Sequence, residues 1–190
     1  MAKRTGPRII AGELRGSRLK SPQGNITRPI TDRVKENLFN IIGADIINAR
    51  FLDLFAGTGS VGIEAYSRGA SFVHFIEKNQ VPYNILEQNL ELIKERSAYQ
   101  VSKIEAFKFI SSFKGPRFDY IFIAPPQYKG MWKISLELID SSKSILEKDA
   151  IVIIQIDPTE YEKIALENLV ESDRRRYGST LLLFFQPPII

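Results

Sequence analysis

Two rhythms of apolar residues run along this chain. Within TDRVKENLFNII, Val34, Leu38, Ile41 and Ile42 fall on one face of a helix that Thr31 or Asp32 can cap. Beyond it, short apolar runs alternate with helical spacing. FLDLF reads as a strand and Ser60 to Arg68 as a helix. SFVHFIE is the next strand, and Asn79 opens a helix toward Lys94. YQVSKI and AFKFISSF repeat the alternation, and FDYIFIAPP is a strand stopped by two prolines. Trp132 to Leu146 reads as a helix with Ile134, Leu138, Ile139 and Ile145 apolar and Trp132 as a packing residue. AIVIIQI is a continuous apolar strand, and Thr159 to Leu166 is expected to be helical. The end, LVESDRRRYGSTLLLFFQ, reads as two strands around a turn at Tyr177-Gly178-Ser179.

Strands alternating with helices predict an α/β fold with a mostly parallel sheet covered on both faces. So short a final turn joins antiparallel strands, which predicts one reversed strand at an edge. Ahead of all this, RIIAGELRGSRLKSP reads as a β-hairpin, with Gly12 and Gly16 near its turn. The expected division is a basic hairpin arm over residues 1–27 and one α/β domain over 28–190, a length that suits a single core.

Charge is distributed unevenly. The chain carries +4 overall, yet residues 1–35 hold nine Lys/Arg against Glu13 and Asp32, a net of +7 that leaves −3 on the rest. A basic arm on a slightly acidic body points to a polyanion, most simply nucleic acid, whereas a merely solvated terminus is the plainer alternative. Asp173-Arg174-Arg175-Arg176 reads as a solvated strand end. The chain has no cysteine and only His74, which excludes disulfides and thiolate metal sites; no metal is expected. No apolar run reaches bilayer length and the start has no signal-peptide core, so no membrane partner and a cytoplasmic location are expected.

The candidate chemistry begins at Gly57-Thr58-Gly59-Ser60-Val61-Gly62, which fits GxGxxG between a strand and a helix. Glycines admit a ligand close to the backbone, and a helix start offers free N–H groups. Two cofactor classes compete. A dinucleotide would place its pyrophosphate at the helix start. Asp53, in the strand before the loop, would repel that phosphate and suits a cofactor with a cationic amino-acid moiety, such as S-adenosylmethionine. Glu77, ending the second strand, can accept ribose hydroxyls in either class.

The strand over FDYIFIAPP ends at Ala124-Pro125-Pro126-Gln127-Tyr128. Prolines stop the strand and fix its last carbonyls, those of Ala124 and Pro125, as acceptors for an exocyclic base amine. Tyr128 can stack on a base taken out of its helix. The plainer alternative is a strand stop beside an exposed tyrosine.

Together these residues resemble class I methyltransferases that use S-adenosylmethionine and, more narrowly, the RsmD family, which methylates a guanine amine of small-subunit ribosomal RNA. RIIAGELRGSRL, RPITDRVKENLFNII, LDLFAGTGSVGIEA, FIEKN, IEAFKFI and the proline motif carry the resemblance over nearly the whole chain. It implies a Rossmann-like, seven-stranded sheet in the order 3-2-1-4-5-7-6 with one antiparallel strand. It implies that Asp53, Ala56, Gly57 and Gly59 line the methionine end of the cofactor and that Phe55, Thr58 and Lys78 also touch it. Glu77 would hold the ribose, and Glu105 and Ala106, with Phe107, would flank the adenine. Ala124, Pro125, Pro126 and Tyr128 would form the catalytic motif. Arg28, Thr31 and Arg33 would stand at the substrate mouth, while Arg8, Arg15 and Arg18 grip phosphates of ribosomal RNA or the small ribosomal subunit. A monomer is expected.

One departure stands out. The family pattern is Asp-Pro-Pro followed directly by Phe or Tyr, whereas here Ala124 stands for the acid and Gln127 precedes Tyr128. The lost acid is an acceptor that would hold the amine. Transfer can persist through orientation and proximity, with the Gln127 amide oxygen as a replacement acceptor. Weak transfer, methylation of another amine, a binding protein without transfer, and a nicotinamide oxidoreductase built on GxGxxG alone are the alternatives.

Overall fold

The computed structural model describes residues 6–22, 30–142 and 144–188. These residues form a seven-stranded sheet in the order β3-β2-β1-β4-β5-β7-β6. The strands are β1 (Arg50–Asp53), β2 (Phe72–Ile76), β3 (Tyr99–Ser102), β4 (Phe118–Ile123), β5 (Leu146–Ile156), β6 (Val170–Tyr177) and β7 (Thr180–Gln186). The helices are α1 (Asp32–Ile42), α2 (Ser60–Ser67), α3 (Gln80–Leu90), α4 (Ala106–Ser112) and α5 (Met131–Ser141). The first five strands pair in parallel, and β7 runs antiparallel to both β5 and β6. The implied strand order is the observed one.

The reversed strand is not at the edge. β7 lies one place inside it, with Leu181 to Phe185 all buried, whereas β6 alternates toward solvent and carries the three arginines. An apolar run buried on both faces belongs between strands, and charge belongs on an edge that must not recruit another chain.

Two apolar layers sandwich the sheet. One packs α1, α2 and α3 against Phe51, Val73, Tyr120, Phe122 and Ile153. The other packs α4 and α5 against Leu52, Ile121, Val152 and Ile154, with Trp132 buried within it. On α1 the buried stripe is Val34, Lys35, Leu38, Phe39 and Ile42, and Thr31 caps the helix by accepting from the Val34 N–H. Ile41, expected inside, is exposed.

Three expected elements differ. α5 ends at Ser141, because Ser142 leaves the helical region and its N–H closes onto Leu138 and Ile139. Ile145 is then free to accept the Phe118 N–H as β5 begins. The helix expected over 159–166 is a single 3-10 turn, Pro158–Glu160, closed by a capping box between Asp157 and Glu160. Beyond it, Asp140 accepts the N–H groups of Glu167 and Asn168 and holds the chain out of helix. The N-terminal hairpin is one antiparallel bridge, Arg8 with Arg18, around successive turns at Gly12–Arg15 and Leu14–Ser17.

That arm is fastened to the body. Its Ile10 and Ala11 N–H groups donate to the buried Glu64 carboxylate at 2.8 and 3.1 Å. Ser67 Oγ takes the Leu14 N–H and donates to the Ala11 carbonyl. Asn89 pairs with both the N–H and C=O of Lys20. Ile9 and Leu19 enter the core. Among the described residues, no helix is long and apolar enough to cross a membrane.

Candidate functional site

The carboxyl ends of β1, β2 and β3 carry a loop held between two acids. β1 ends at Asp53, two residues before the apolar run does, because the chain turns at Leu54–Phe55. The Leu54 N–H still reaches Phe122 O and the Ala56 N–H reaches Ile76 O. Asp53 is buried, and its Oδ2 accepts the Gly62 N–H at 3.0 Å. Glu77, also buried, accepts the Gly57 N–H at 3.1 Å and the Asn79 N–H at 2.7 Å. Each carboxylate therefore fixes one end of the glycine turn and keeps further lone pairs for a ligand.

Burial is the main reason the Asp53 carboxyl is pushed up to about 7. The Glu77 charge adds to the rise, and the Gly62 N–H opposes it. An acid that burial makes costly to ionise is one that a cationic group would stabilise.

The glycines divide the work. Gly57, at φ +54°, has open space where a Cβ would stand, so the turn presents bare backbone to the crevice. A Cβ on Gly62 would stand 2.3 Å from a Phe75 ring carbon, so this glycine lets α2 lie on β2. Phe55 and Thr58 are half-buried and Ala56 is buried. Lys78 is exposed beside Glu77. Across the crevice Glu105 caps α4 by accepting the Lys108 N–H, with Ala106 buried and Phe107 half-buried behind it. The eleven residues expected at a cofactor thus lie on the adjoining carboxyl ends of β1, β2 and β3.

The second wall comes from β4 and β5. Ala124 is half-buried against the layer of α1 and α2, Pro125 is buried and Pro126 exposed. Tyr128 takes a left-handed backbone, φ +60°, and its ring is 68 % exposed. Its N–H donates to Glu160 Oε2 at 2.8 Å, so the 3-10 turn after β5 holds the loop after β4. The hydroxyl is tied to the Asp157 and Thr159 side chains, while the residue as a whole stays open to solvent.

The basic residues only partly converge. Arg8, Arg18 and Thr31 line one open cleft of about 460 Å³ with Asp32 and Ile30. Arg8 faces Asp32 at 3.8 Å. Arg33 is exposed in the first turn of α1, and Arg15 is exposed in the Gly12–Arg15 turn rather than in that cleft. Arg28 and the expected boundary at 27/28 lie outside the described residues. Lys35, counted among the basic residues of the arm, is wholly buried. Its ammonium donates to Arg8 O and Ser60 Oγ and lies 3.3 Å from Glu64 Oε2.

Sequence reasoning missed this Lys35–Glu64 pair and the role of Asn89, whose amide also donates to Thr58 O in the glycine loop. The available signal was a charge inside each apolar stripe: Lys35 beside Leu38 and Phe39, and Glu64 between Ile63 and Ala65.

The model of the family Conserved hypothetical protein 95 matches residues 7–186. The Escherichia coli K12 ribosomal RNA small subunit methyltransferase D is 34% identical over 146 residues, 77% of this chain and 73% of the relative. The chain belongs to the RsmD family. The Bacillus subtilis protein YlbH is likewise 34% identical, over 175 residues, 91% of this chain and 95% of YlbH. Among solved structures, the E. coli protein yhhF superposes with a TM-score of 0.84 at 28% identity, covering 96% of this chain and 98% of that one. The family match runs from the arm through the sheet, so both crevice walls and the Arg8–Arg18 cleft fall within it.

Proposed function

We propose that this protein transfers the methyl group of S-adenosylmethionine to the exocyclic N2 of a guanine in small-subunit ribosomal RNA. The observation that carries the reading is the pairing of two walls at one end of the sheet: a glycine turn clamped by Asp53 and Glu77, and a proline-stopped strand leading to an exposed Tyr128. The family relatives named as ribosomal RNA small subunit methyltransferases supply the substrate class. The proposed workplace is the cytoplasm, and the proposed division is an RNA-gripping arm and a catalytic domain.

The residues present suit this cofactor. The open space over Gly57 admits a ligand against the backbone, and the buried Asp53 carboxylate seeks a cation such as an α-amino group. Glu77 would accept ribose hydroxyls, and Phe107 with Ala106 would flank the adenine. Bound there, the cofactor would supply an electrophilic methyl group, its S–CH₃ bond breaking with the electron pair kept by sulfur as the N–CH₃ bond formed and the amine proton passed to water. The chain's own residues orient and desolvate. Tyr128 stacks on the flipped base, the Ala124 and Pro125 carbonyls face its amine, and Arg8, Arg18 and Arg33 neutralise phosphates.

The test is incubation with methyl-labelled cofactor and small-subunit RNA or subunits, followed by mapping of the labelled nucleotide. Label on a guanine N2 supports the proposal, and no label in any RNA overturns it. Ala124 favours a second reading, a cofactor- and RNA-binding protein with weak transfer. Calorimetric binding of cofactor without turnover, with turnover gained in Ala124→Asp, would establish that reading instead.

A further inference from the structure

We infer that Gln155 supplies the side-chain acceptor missing at Ala124, holding an N–H of the nucleobase amine that receives the methyl group. The inference rests on the methyltransferase reading above and adds a residue to its site.

The placement follows from the sheet. β4 and β5 pair in parallel with Phe122 opposite Ile153 and Ile123 opposite Ile154. Gln155 is therefore the residue beside Ala124. In a parallel pair, residues in register point to the same face. Phe122 and Ile153 pack in the layer of α1 and α2, and Ala124 packs against it. Gln155, two residues past Ile153, shares that face. Leu182, its partner on β7, lies in the same layer. A short alanine thus leaves the room at the end of β4, and a longer polar side chain stands on the next strand.

The chemistry follows from a hydrogen-bond deficit. Gln155 Oε1 is buried and accepts no hydrogen bond, and it is the only buried side-chain polar atom in that state among the described residues. An unsatisfied buried acceptor costs stability and calls for an explanation in strain, ligand or function. Gln155 as a whole is half-buried. Turning its carboxamide about Cγ–Cδ exchanges oxygen and nitrogen without moving the strand, so the acceptor can be re-aimed when an amine approaches. Two residues on, Asp157 opens the 3-10 turn whose Glu160 holds Tyr128. Gln155 therefore sits at the base of the wall on which the base would stack. Its amide oxygen accepts one amine hydrogen and directs the nitrogen lone pair. It takes no proton, so the proton released on transfer still goes to water.

The experiment compares wild type, Gln155→Leu, Gln155→Glu and Gln127→Ala. The inference expects Gln155→Leu to lower kcat for methyl transfer to small-subunit RNA by roughly 10²-fold. Its cofactor affinity by calorimetry and its RNA affinity should stay within about twofold, and its Tm should be equal or higher, because the lost oxygen has no partner. Gln155→Glu keeps an acceptor and should retain most of the rate. A Gln155→Leu enzyme as fast as wild type, or a loss confined to Gln127→Ala, overturns the inference while leaving the methyltransferase reading intact. A wild type that labels no RNA overturns that reading instead. The Gln155 side-chain amide resonance, followed on adding RNA in the presence of S-adenosylhomocysteine, then decides: a shift keeps the contact, and no shift removes it.

Discussion

Lys35 Nζ lies 3.3 Å from Glu64 Oε2, and both side chains are fully buried. Glu64 also accepts from Ile10, Ala11 and Arg68, and Lys35 also donates to Arg8 O and Ser60 Oγ. One ion pair thus joins the arm, α1 and the first residue of α2, beside the glycine turn. Burial holds the Lys35 ammonium below its ordinary pKa even with Glu64 pulling it back. Removing one partner leaves an uncompensated buried charge. Glu64→Ala should therefore cost about 3–5 kcal/mol in denaturant unfolding and expose the arm to protease. Lys35→Met should cost less, because Arg68 remains 2.8 Å from Glu64.

The glycine turn separates stability from binding. Gly62→Ala would set a Cβ 2.3 Å from Phe75, forcing α2 off β2 at a cost of about 1–3 kcal/mol. Gly57→Ala meets no atom within 4 Å but sits at φ +54°, which costs about 1–2 kcal/mol and projects a methyl into the crevice. Calorimetry should show Gly57→Ala losing cofactor affinity out of proportion to its fall in Tm. The reverse pattern would move the ligand away from Gly57.

Asp53 gives the site a pH signature. Its folded carboxyl sits at about 7 against an ordinary 3.8, so the native state holds this proton more tightly than the unfolded chain does. The stability it contributes is complete below 3.8 and is lost as pH rises through about 7. Asp53→Asn should remove this dependence, so the variant gains on wild type in apo Tm as pH rises from about 4 to about 7, and the difference then levels off. A bound ammonium reverses the preference, so cofactor affinity of the wild type should strengthen as pH rises through about 7. In Asp53→Asn it should be roughly 10–100-fold weaker, about 1.4 kcal/mol per tenfold, and lack this Asp53-dependent rise. An affinity unaffected by the substitution would place the cation elsewhere.

The glycine turn and its acids were legible because their signal is local: Asp53, Gly57 and Gly62 lie within one strand-loop-helix unit whose spacing is fixed by the chain itself. The proline stop was legible for the same reason. What escaped was long-range. Lys35 stands among other charges in DRVKEN and Glu64 alone among apolar residues, and only folding sets them side by side. On α1 the spacing places Ile41 in the buried stripe, whereas packing against Phe51, 6.3 Å between rings, puts Phe39 there instead. Gln155 goes unmarked inside AIVIIQI, which reads as one continuous apolar strand. Its meaning depends on β5 lying beside Ala124, a relation of register and not of sequence.

Arg8 and Arg18 face each other across the arm's single bridge and line one cleft with Thr31, whereas Arg15 stands in the turn beyond it. If the cleft tracks a phosphate backbone, each arginine lost removes one neutralised phosphate and about one released counterion. Arg18→Ala should therefore weaken RNA binding across sequences alike and reduce the slope of log affinity against log salt by about 0.7–0.9. Arg8→Ala should do less, because Asp32, 3.8 Å from its guanidinium, already engages that charge. Asp32→Asn should tighten binding by freeing Arg8 for a phosphate, although Thr31 keeps the cap on α1. Filter binding across a salt series checks all three. Equal slopes in wild type and Arg18→Ala would show that the RNA enters by another face, and the arm would then serve only to brace Glu64 and the glycine turn.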